Sequence, residues 1–285
     1  MDLFDGKSAN RVILNDLKDK IVKEKINPVL AIILVGDDQA SQIYIKLKKE
    51  AGSRIGIEVR DFLFGVTAAE DQIIKKIKEI NNDPVIDGLI VQLPLPEQFD
   101  ENKIIESIDP KKDVDGFHKK NQEFLGENDA PYFLPVLPKA ILFTLQKAFD
   151  GSLKSEKIIA LVNSDIFGQV LTAFLRREGI DLEYVIKDSL PKEEVEAKLQ
   201  LADAIITVCG YPKLITENNI KEGAALIDAG ITRDTDGVVK GDVDRESVKD
   251  RAGFLTPVPG GIGPLTVAFL LENVYLAASK NNHHG

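Results

Sequence analysis

Short runs of Val, Ile and Leu alternate along this chain with longer stretches whose apolar residues recur every three or four positions. No other feature constrains the fold as strongly. Residues 28–36 (PVLAIILVG), 57–64 (IEVRDFLF) and 85–94 (VIDGLIVQLP) are short and rich in branched apolar residues, and they predict buried strands. Residues 40–55 and 68–82 carry the amphipathic helical spacing. Strand–helix–strand at this rhythm predicts a parallel sheet with crossover helices. Residues 119–138 (KKNQEFLGENDAPYFLPVLP) hold three prolines, a glycine and no clear period, and predict a linker. A second series follows, with strands expected at 157–162, 182–186, 203–209 and 224–230 and helices between them. Residues 237–244 predict a small hairpin or turn, residues 255–264 a rigid Pro/Gly loop, and residues 265–279 a final helix. The expectation is an α/β fold of two domains around a cleft, where small ligands usually bind.

Composition narrows the function classes. A length of 285 residues is enough for two domains with sizeable cores. Lys+Arg 36 against Asp+Glu 46 leaves a charge of −10, which argues against nucleic acid as a main partner, since phosphate binding needs a basic surface. The single cysteine, Cys209, excludes a disulfide framework and a Cys-cluster zinc site. It falls at a strand end in Val-Cys-Gly-Tyr-Pro, where it reads as a pocket-wall residue rather than a redox centre. No apolar run reads as approaching the ~20 residues that span a bilayer, and the start MDLFDGKSANRV lacks a signal peptide's basic-then-apolar order. The expectation is a soluble, cytoplasmic protein with neither nucleic acid nor membrane as partner.

Five segments stand out chemically. In SQIYIKLK, Tyr44 and Lys48 share a helix face, with Ser41 one turn before. A Tyr hydroxyl beside a buried Lys suits proton relay, although Lys46, Lys48 and Lys49 together also describe a solvated basic face. In GLIVQLPLP, Gln92 ends an apolar strand, where α/β sheets face their ligand crevice; a proline-capped strand end with no ligand role fits equally. In DVDGFH, Asp113 and Asp115 flank a turn that lacks the further ligands a metal needs, so a plain turn is the simpler reading and no metal is expected. In VNSDIFG, Asn163, Ser164 and Gly168 occupy a strand-to-helix turn suited to a nucleotide phosphate, but the G-x-G-x-x-G spacing is absent. Finally, TPVPGGIGPLT packs three glycines and three prolines into eleven residues, fixing a backbone that permits close ligand approach.

Taken in order, the stretches VGDDQASQIYIKLK, GLIVQLPLP, IDPKKDVDGFH, GDVD and TPVPGGIGPLT resemble the bifunctional methylenetetrahydrofolate dehydrogenase/methenyltetrahydrofolate cyclohydrolase family over nearly the whole chain. The resemblance implies oxidation of 5,10-methylenetetrahydrofolate with NADP, then hydrolysis of the methenyl product to 10-formyltetrahydrofolate. It implies a folate-binding catalytic domain over 1–120, with the C-terminal helix 265–280 packing back on it, and a Rossmann-like nucleotide-binding domain over 139–264. It also implies a homodimer acting on a small-molecule folate. By position, Lys48 is implied as the catalytic lysine with Tyr44 beside it, Gln92 as its orienting partner and Asp115 as the residue holding the pterin ring. Pro259, Gly260, Gly261 and Gly263 are implied to line the shared cleft. Asn163, Ser164, Gly168, Asp188, Ser189, Ile231 and Thr256 are implied to bind the cofactor.

The nucleotide side departs from the family pattern. Asn163 stands where members carry an Arg near the 2′-phosphate of NADP, so a bidentate Arg–phosphate contact is lost. Val170 replaces a proline, Asp188-Ser189 replaces a His-Ser pair, and the domain entry reads Pro135-Val-Leu-Pro138-Lys-Ala140. Three alternatives stay open: NADP held through Lys187 or Arg176; NAD, because Asp188 lies about 20 residues past Gly168, where an acid can bond a ribose 2′-OH; or a cyclohydrolase or folate-binding relative without dehydrogenase activity.

Overall fold

The computed structural model describes residues 1–125, 131–153, 156–233 and 237–282. Its elements, in chain order, are β1 (Asp2–Leu3), α1 (Gly6–Glu24), β2 (Val29–Val35), α2 (Gln39–Ile55), β3 (Glu58–Phe64), α3 (Glu70–Asn81), β4 (Gly88–Val91), α4 (Glu101–Glu106), α5 (Lys119–Glu123), α6 (Val136–Ala148), β5 (Ile158–Val162), α7 (Asp165–Arg177), β6 (Leu182–Ile186), α8 (Lys192–Leu199), β7 (Ala204–Val208), β8 (Ala225–Asp228), β9 (Thr232–Arg233), β10 (Val239–Lys240), α9 (Arg245–Val248), β11 (Phe254–Leu255) and α10 (Ile262–Asn282). By contact the chain divides into two units, Met1–Ala9 with Leu137–Thr266 and Asn10–Val136 with Val267–Gly285.

In the unit built on Asn10–Val136, β2 lies between β3 and β4, all parallel. Val29, Ala31, Ile33 and Val35 pack against Ile73, Ile77 and Ile80, the apolar stripe of α3. Leu30, Ile32 and Leu34 face the opposite side and are buried too, which is why this strand shows no polar alternation. Helix α2 starts at Asp38, whose carboxylate accepts from Ser41 N at 2.7 Å, and it stops at Gly56 in the left-handed region (φ 88°). The C-terminal part of α10 closes this unit. Asn273 Nδ2 donates to Val114 O (2.8 Å) and Leu134 O (3.0 Å), while Tyr275 OH donates to Glu24 Oε1 at 2.6 Å.

In the other unit six parallel strands run in the order β1-β11-β8-β7-β5-β6. The first long strand, β5, lies between the edge strand β6 and β7, so the winding reverses there. Ile159, Leu161, Ile205 and Leu226 join Leu199 and Val248 in the core beside this sheet.

The structure revises several boundaries. Strand β4 is shorter than the 85–94 run at both ends, because residues 85–87 precede its paired residues and the chain leaves the sheet after Gln92. The expected linker contains α5 and the start of α6, and its residues 126–130 lie outside those described. The hairpin pairs β9 with β10 and so begins before 237, with 234–236 outside the described residues. Residues 1–9 group with the C-terminal strands through β1 beside β11, although the sequence places them in the N-terminal domain; two-residue strands carry no readable period. Helix α10 starts inside the Pro/Gly loop, since a proline in a first turn forfeits only a donor without an intrahelical partner. That extension corrects the hydropathy reading. Ile262–Asn281 is long and apolar enough to cross a bilayer, yet 67% of its apolar window is buried in the protein, as in a core helix.

Candidate active site

Each unit sets polar side chains at the carboxyl ends of parallel strands beside a reversal of strand order, where open α/β sheets leave a crevice. In the first, Gln92 follows β4, and its backbone N–H continues the sheet by donating to Ile33 O at 2.8 Å. The side-chain amide donates to Leu93 O (2.8 Å), and its Oε1 accepts from Lys48 Nζ, also at 2.8 Å. That orientation is forced, because an ammonium has only donors to offer. Lys48 lies on α2, with half-buried Tyr44 one turn earlier and buried Ser41 at the helix start.

Asp115 comes from the turn after β4's neighbour bridge, Leu89 beside Asp113. Asp113 builds that turn: its carboxylate accepts from His118 N (2.7 Å), Asn121 Nδ2 (2.9 Å) and Gly116 N (3.2 Å). Gly88 lets the turn press close, for a Cβ there would lie 2.6 Å from Val114 Cγ1. Asp113 is thus a buried scaffold residue, and Asp115 beside it carries the charge that Lys48 feels. Burial lowers the Lys48 ammonium, opposed by the Asp115 carboxylate. Burial lifts the Asp115 carboxyl to about 6, opposed by Lys48 and reinforced by Asp113. The structure therefore brings Lys48, Gln92 and Asp115 into one electrostatic group.

In the other unit, Asn163 and Ser164 stand at the reversal between β5 and β7. Asn163 is exposed; its N–H donates to Val208 O (3.3 Å) and its Nδ2 to Cys209 O (3.4 Å). Ser164 caps α7, its Oγ accepting from Phe167 N at 3.3 Å. Gly168 is buried inside that helix, where a Cβ would collide with the Tyr184 ring, so packing accounts for this glycine. After β6, Lys187 Nζ pairs with Asp188 Oδ2 at 2.5 Å, and Ser189 Oγ donates to Ile186 O at 2.6 Å. Ile231 is exposed. Next to it, Thr232 Oγ1 is buried without a hydrogen-bond partner. Thr256 is buried, and its hydroxyl is engaged with the Asp228 backbone, accepting from N (2.7 Å) and donating to O (3.2 Å). Pro259, Gly260, Gly261 and Gly263 belong to this unit; there Gly6 N donates to Gly260 O at 2.9 Å, and a Cβ on Gly6 would strike Gly261 O.

Two buried carboxylates escaped the sequence reading. Asp242 accepts from Cys209 N (2.8 Å) and Tyr211 N (2.7 Å), and Asp228 accepts from Gly230 N (3.0 Å), Asp242 N (3.1 Å) and Val243 N (2.9 Å). Burial raises both, Asp228 to about 6. An aspartate closing the apolar run ALID was the available signal. Cys209 is a core residue rather than a pocket wall: its thiol donates to Leu161 O at 3.3 Å, and burial pushes it up to about 12. Among the described residues, no group of three or more His, Cys, Asp or Glu could hold a metal ion.

With this geometry in place, comparison with known proteins is decisive. Residues 4–115 match the tetrahydrofolate dehydrogenase/cyclohydrolase catalytic domain, and residues 135–282 match the NAD(P)-binding domain of the same family. The chain belongs to that family. Among its members, the bifunctional protein FolD of Staphylococcus aureus (strain JH9) is 39% identical over 280 residues, 96% of each chain. The Campylobacter jejuni bifunctional FolD structure is 35% identical with a TM-score of 0.90, covering 98% of this chain and 99% of that one. The Trypanosoma brucei methylenetetrahydrofolate dehydrogenase-cyclohydrolase, solved with NADP cofactor and inhibitor, is 26% identical with a TM-score of 0.90, covering 98% and 97%. The family's α/β architecture and C-terminal NAD(P)-binding domain are therefore those of this chain.

Proposed function

We propose that the chain oxidises 5,10-methylenetetrahydrofolate to 5,10-methenyltetrahydrofolate with NADP and hydrolyses the methenyl product to 10-formyltetrahydrofolate. The observation that carries this reading is the Lys48 Nζ to Gln92 Oε1 bond of 2.8 Å at a strand's carboxyl end, with Asp115 in electrostatic contact. The methenyl carbon is an amidinium carbon, already electrophilic, so hydrolysis needs a group that orients water and takes its proton. Lys48 suits that task, since its burial-lowered pKa populates the neutral amine and Gln92 fixes the nitrogen. Asp115, when ionised, accepts hydrogen bonds from the pterin ring and holds the one-carbon bridge near Lys48. Tyr44 covers the folate from the same helix face. In the other unit, Pro259, Gly260, Gly261 and Gly263 offer a backbone that a ligand can approach closely.

The C-terminal unit fits a dinucleotide. It offers a Ser-capped start to a 13-residue helix at the strand reversal and a buried, unpartnered Thr232 hydroxyl beside Ile231. Asn163, Ser164, Ser189 and Ile231 would lie along the cofactor, while Thr256, fully buried on the Asp228 backbone, supports the strand end behind it. NADP, when bound, supplies the hydride acceptor, and the protein's task is positioning. The working form is a cytoplasmic homodimer.

The test is an assay of the purified protein with methylenetetrahydrofolate and NADP or NAD, beside methenyl hydrolysis. Reduced nicotinamide is expected to form with NADP, and methenyl absorbance to decay. Lys48→Ala is expected to lose both activities with its circular dichroism unchanged; near-normal turnover would remove Lys48 from the mechanism. Hydrolysis with silence from both cofactors would leave a cyclohydrolase alone.

A further inference from the structure

The turn after β5 has no charge with which to meet a 2′-phosphate, because Asn163 stands there exposed and neutral. A cation is nevertheless built into the adjoining strand end. Lys187 follows β6, and its N–H donates to Val162 O at 2.7 Å, which keeps it in register beside the end of β5. Its ammonium lies 4.7 Å over the Tyr211 ring and 2.5 Å from Asp188 Oδ2. Tyr211 belongs to the loop after β7, clamped by the buried Asp242 carboxylate through Tyr211 N at 2.7 Å and Cys209 N at 2.8 Å. The end of β5 thus holds the Lys187 backbone, while Asp188 after β6 and the Tyr211 ring after β7 contact its ammonium.

The partners are unequal. The Lys187 side chain is 22% exposed, whereas that of Asp188 is 81% exposed. Asp188 also sits at φ 65°, a left-handed turn that Asp tolerates and that leaves its carboxylate at the surface. The cation is thus fixed by its surroundings, and its counter-ion is free to leave. The other basic residue named for this task is at the wrong end. Arg176 occupies the last turn of α7, eleven residues from Asp165, which at 1.5 Å per residue is about 16 Å towards the amino ends of the strands.

We propose that Lys187 selects a nucleotide bearing a 2′-phosphate, with Asp188 as a displaceable counter-ion that the phosphate replaces. This rests on reading the C-terminal unit as the NADP-binding one, and it assigns the specificity of that site to residues outside the turn after β5. A lone carboxylate at Asp188 would favour a ribose 2′-OH and repel a phosphate. Paired with Lys187, it presents no net charge, and the phosphate's three acceptor oxygens outcompete it for the ammonium.

The experiment is calorimetric titration of the full chain with adenosine 2′,5′-bisphosphate and, separately, with 5′-AMP. The wild type is expected to bind the bisphosphate more tightly. Lys187→Met should weaken that binding about ten- to a hundredfold while changing 5′-AMP binding by less than about twofold. Lys187→Arg should retain the preference, and Asp188→Asn should keep or strengthen it. Equal losses for both ligands in Lys187→Met, or none, would overturn the assignment. A wild type that prefers 5′-AMP and loses it on Asp188→Asn would make Asp188 the selector of an NAD-type ribose, leaving the dehydrogenase reading intact. Binding of neither nucleotide would overturn the nucleotide-site reading as well.

Discussion

Burial moves the two charged groups around Gln92 in opposite directions, lowering the Lys48 ammonium and lifting the Asp115 carboxyl to about 6. Each charge resists the shift of the other, so they titrate as a coupled pair rather than as independent sites. The sign of the resulting pH effect follows from the form each step needs. Asp115 must be ionised to accept from the pterin ring, so kcat/KM for methenyl hydrolysis should rise with pH through about 6, and rise further as Lys48 gives up its proton. Asp115→Asn should lower kcat/KM by about tenfold or more and abolish that acid limb. An acid limb persisting unchanged in the variant would assign the titration to another group. That Tyr44 and Lys48 share a helix face was legible in the sequence, because residues i and i+4 do so whatever the tertiary structure. The Gln92 contact was not legible from spacing, because its partners are 44 residues apart and only sheet formation brings them together.

Elements were legible where their period was long enough to count. Helices α2 and α3 announce themselves by apolar spacing, and β2 by seven consecutive buried apolar residues. The two-residue strands β1 and β11 had no such signal. Gly168 shows how a correct element can carry a misread residue. A glycine beside a strand-to-helix turn suggests close phosphate approach, but here it makes room for the Tyr184 ring, whose hydroxyl is tied to Asp165 Oδ1 at 2.8 Å. Gly168→Ala therefore sets two effects against each other. Alanine gains about 1 kcal/mol of helix propensity, whereas forcing a methyl into a packed contact costs about 1–3 kcal/mol. A Cβ would lie only 2.6 Å from Tyr184 Cε2, and the tethered ring cannot step aside freely, so the clash should win. Urea unfolding should show a loss of about 1–2 kcal/mol, relieved in Gly168→Ala/Tyr184→Leu. A more stable single variant would mean that the ring yields.

At the scale of the whole chain, the order of residues and the order of contacts disagree. The unit holding Lys48, Gln92 and Asp115 ends at Val136 and is completed only by Val267–Gly285, more than a hundred residues later. What returns is structural: Phe269, Leu270, Leu271 and Val274 are buried, and Asn273 satisfies the carbonyls of Val114, next to Asp115, and of Leu134. Without α10 those two carbonyls lose their amide partner and the apolar face it covers meets water. Each unsatisfied buried group costs about 1–3 kcal/mol, against a typical domain stability of about 5–15 kcal/mol. A fragment of residues 1–136 should therefore lack a cooperative urea transition and near-ultraviolet dichroism, even though it contains Tyr44, Lys48, Gln92 and Asp115. Asn273→Ala in the full chain gives the graded version: a loss of about 2–3 kcal/mol in stability and a raised KM for the folate, because the turn carrying Asp115 loses its tether. A fragment that unfolds cooperatively at the full chain's midpoint would show that the folate-side unit is autonomous and that α10 only decorates it.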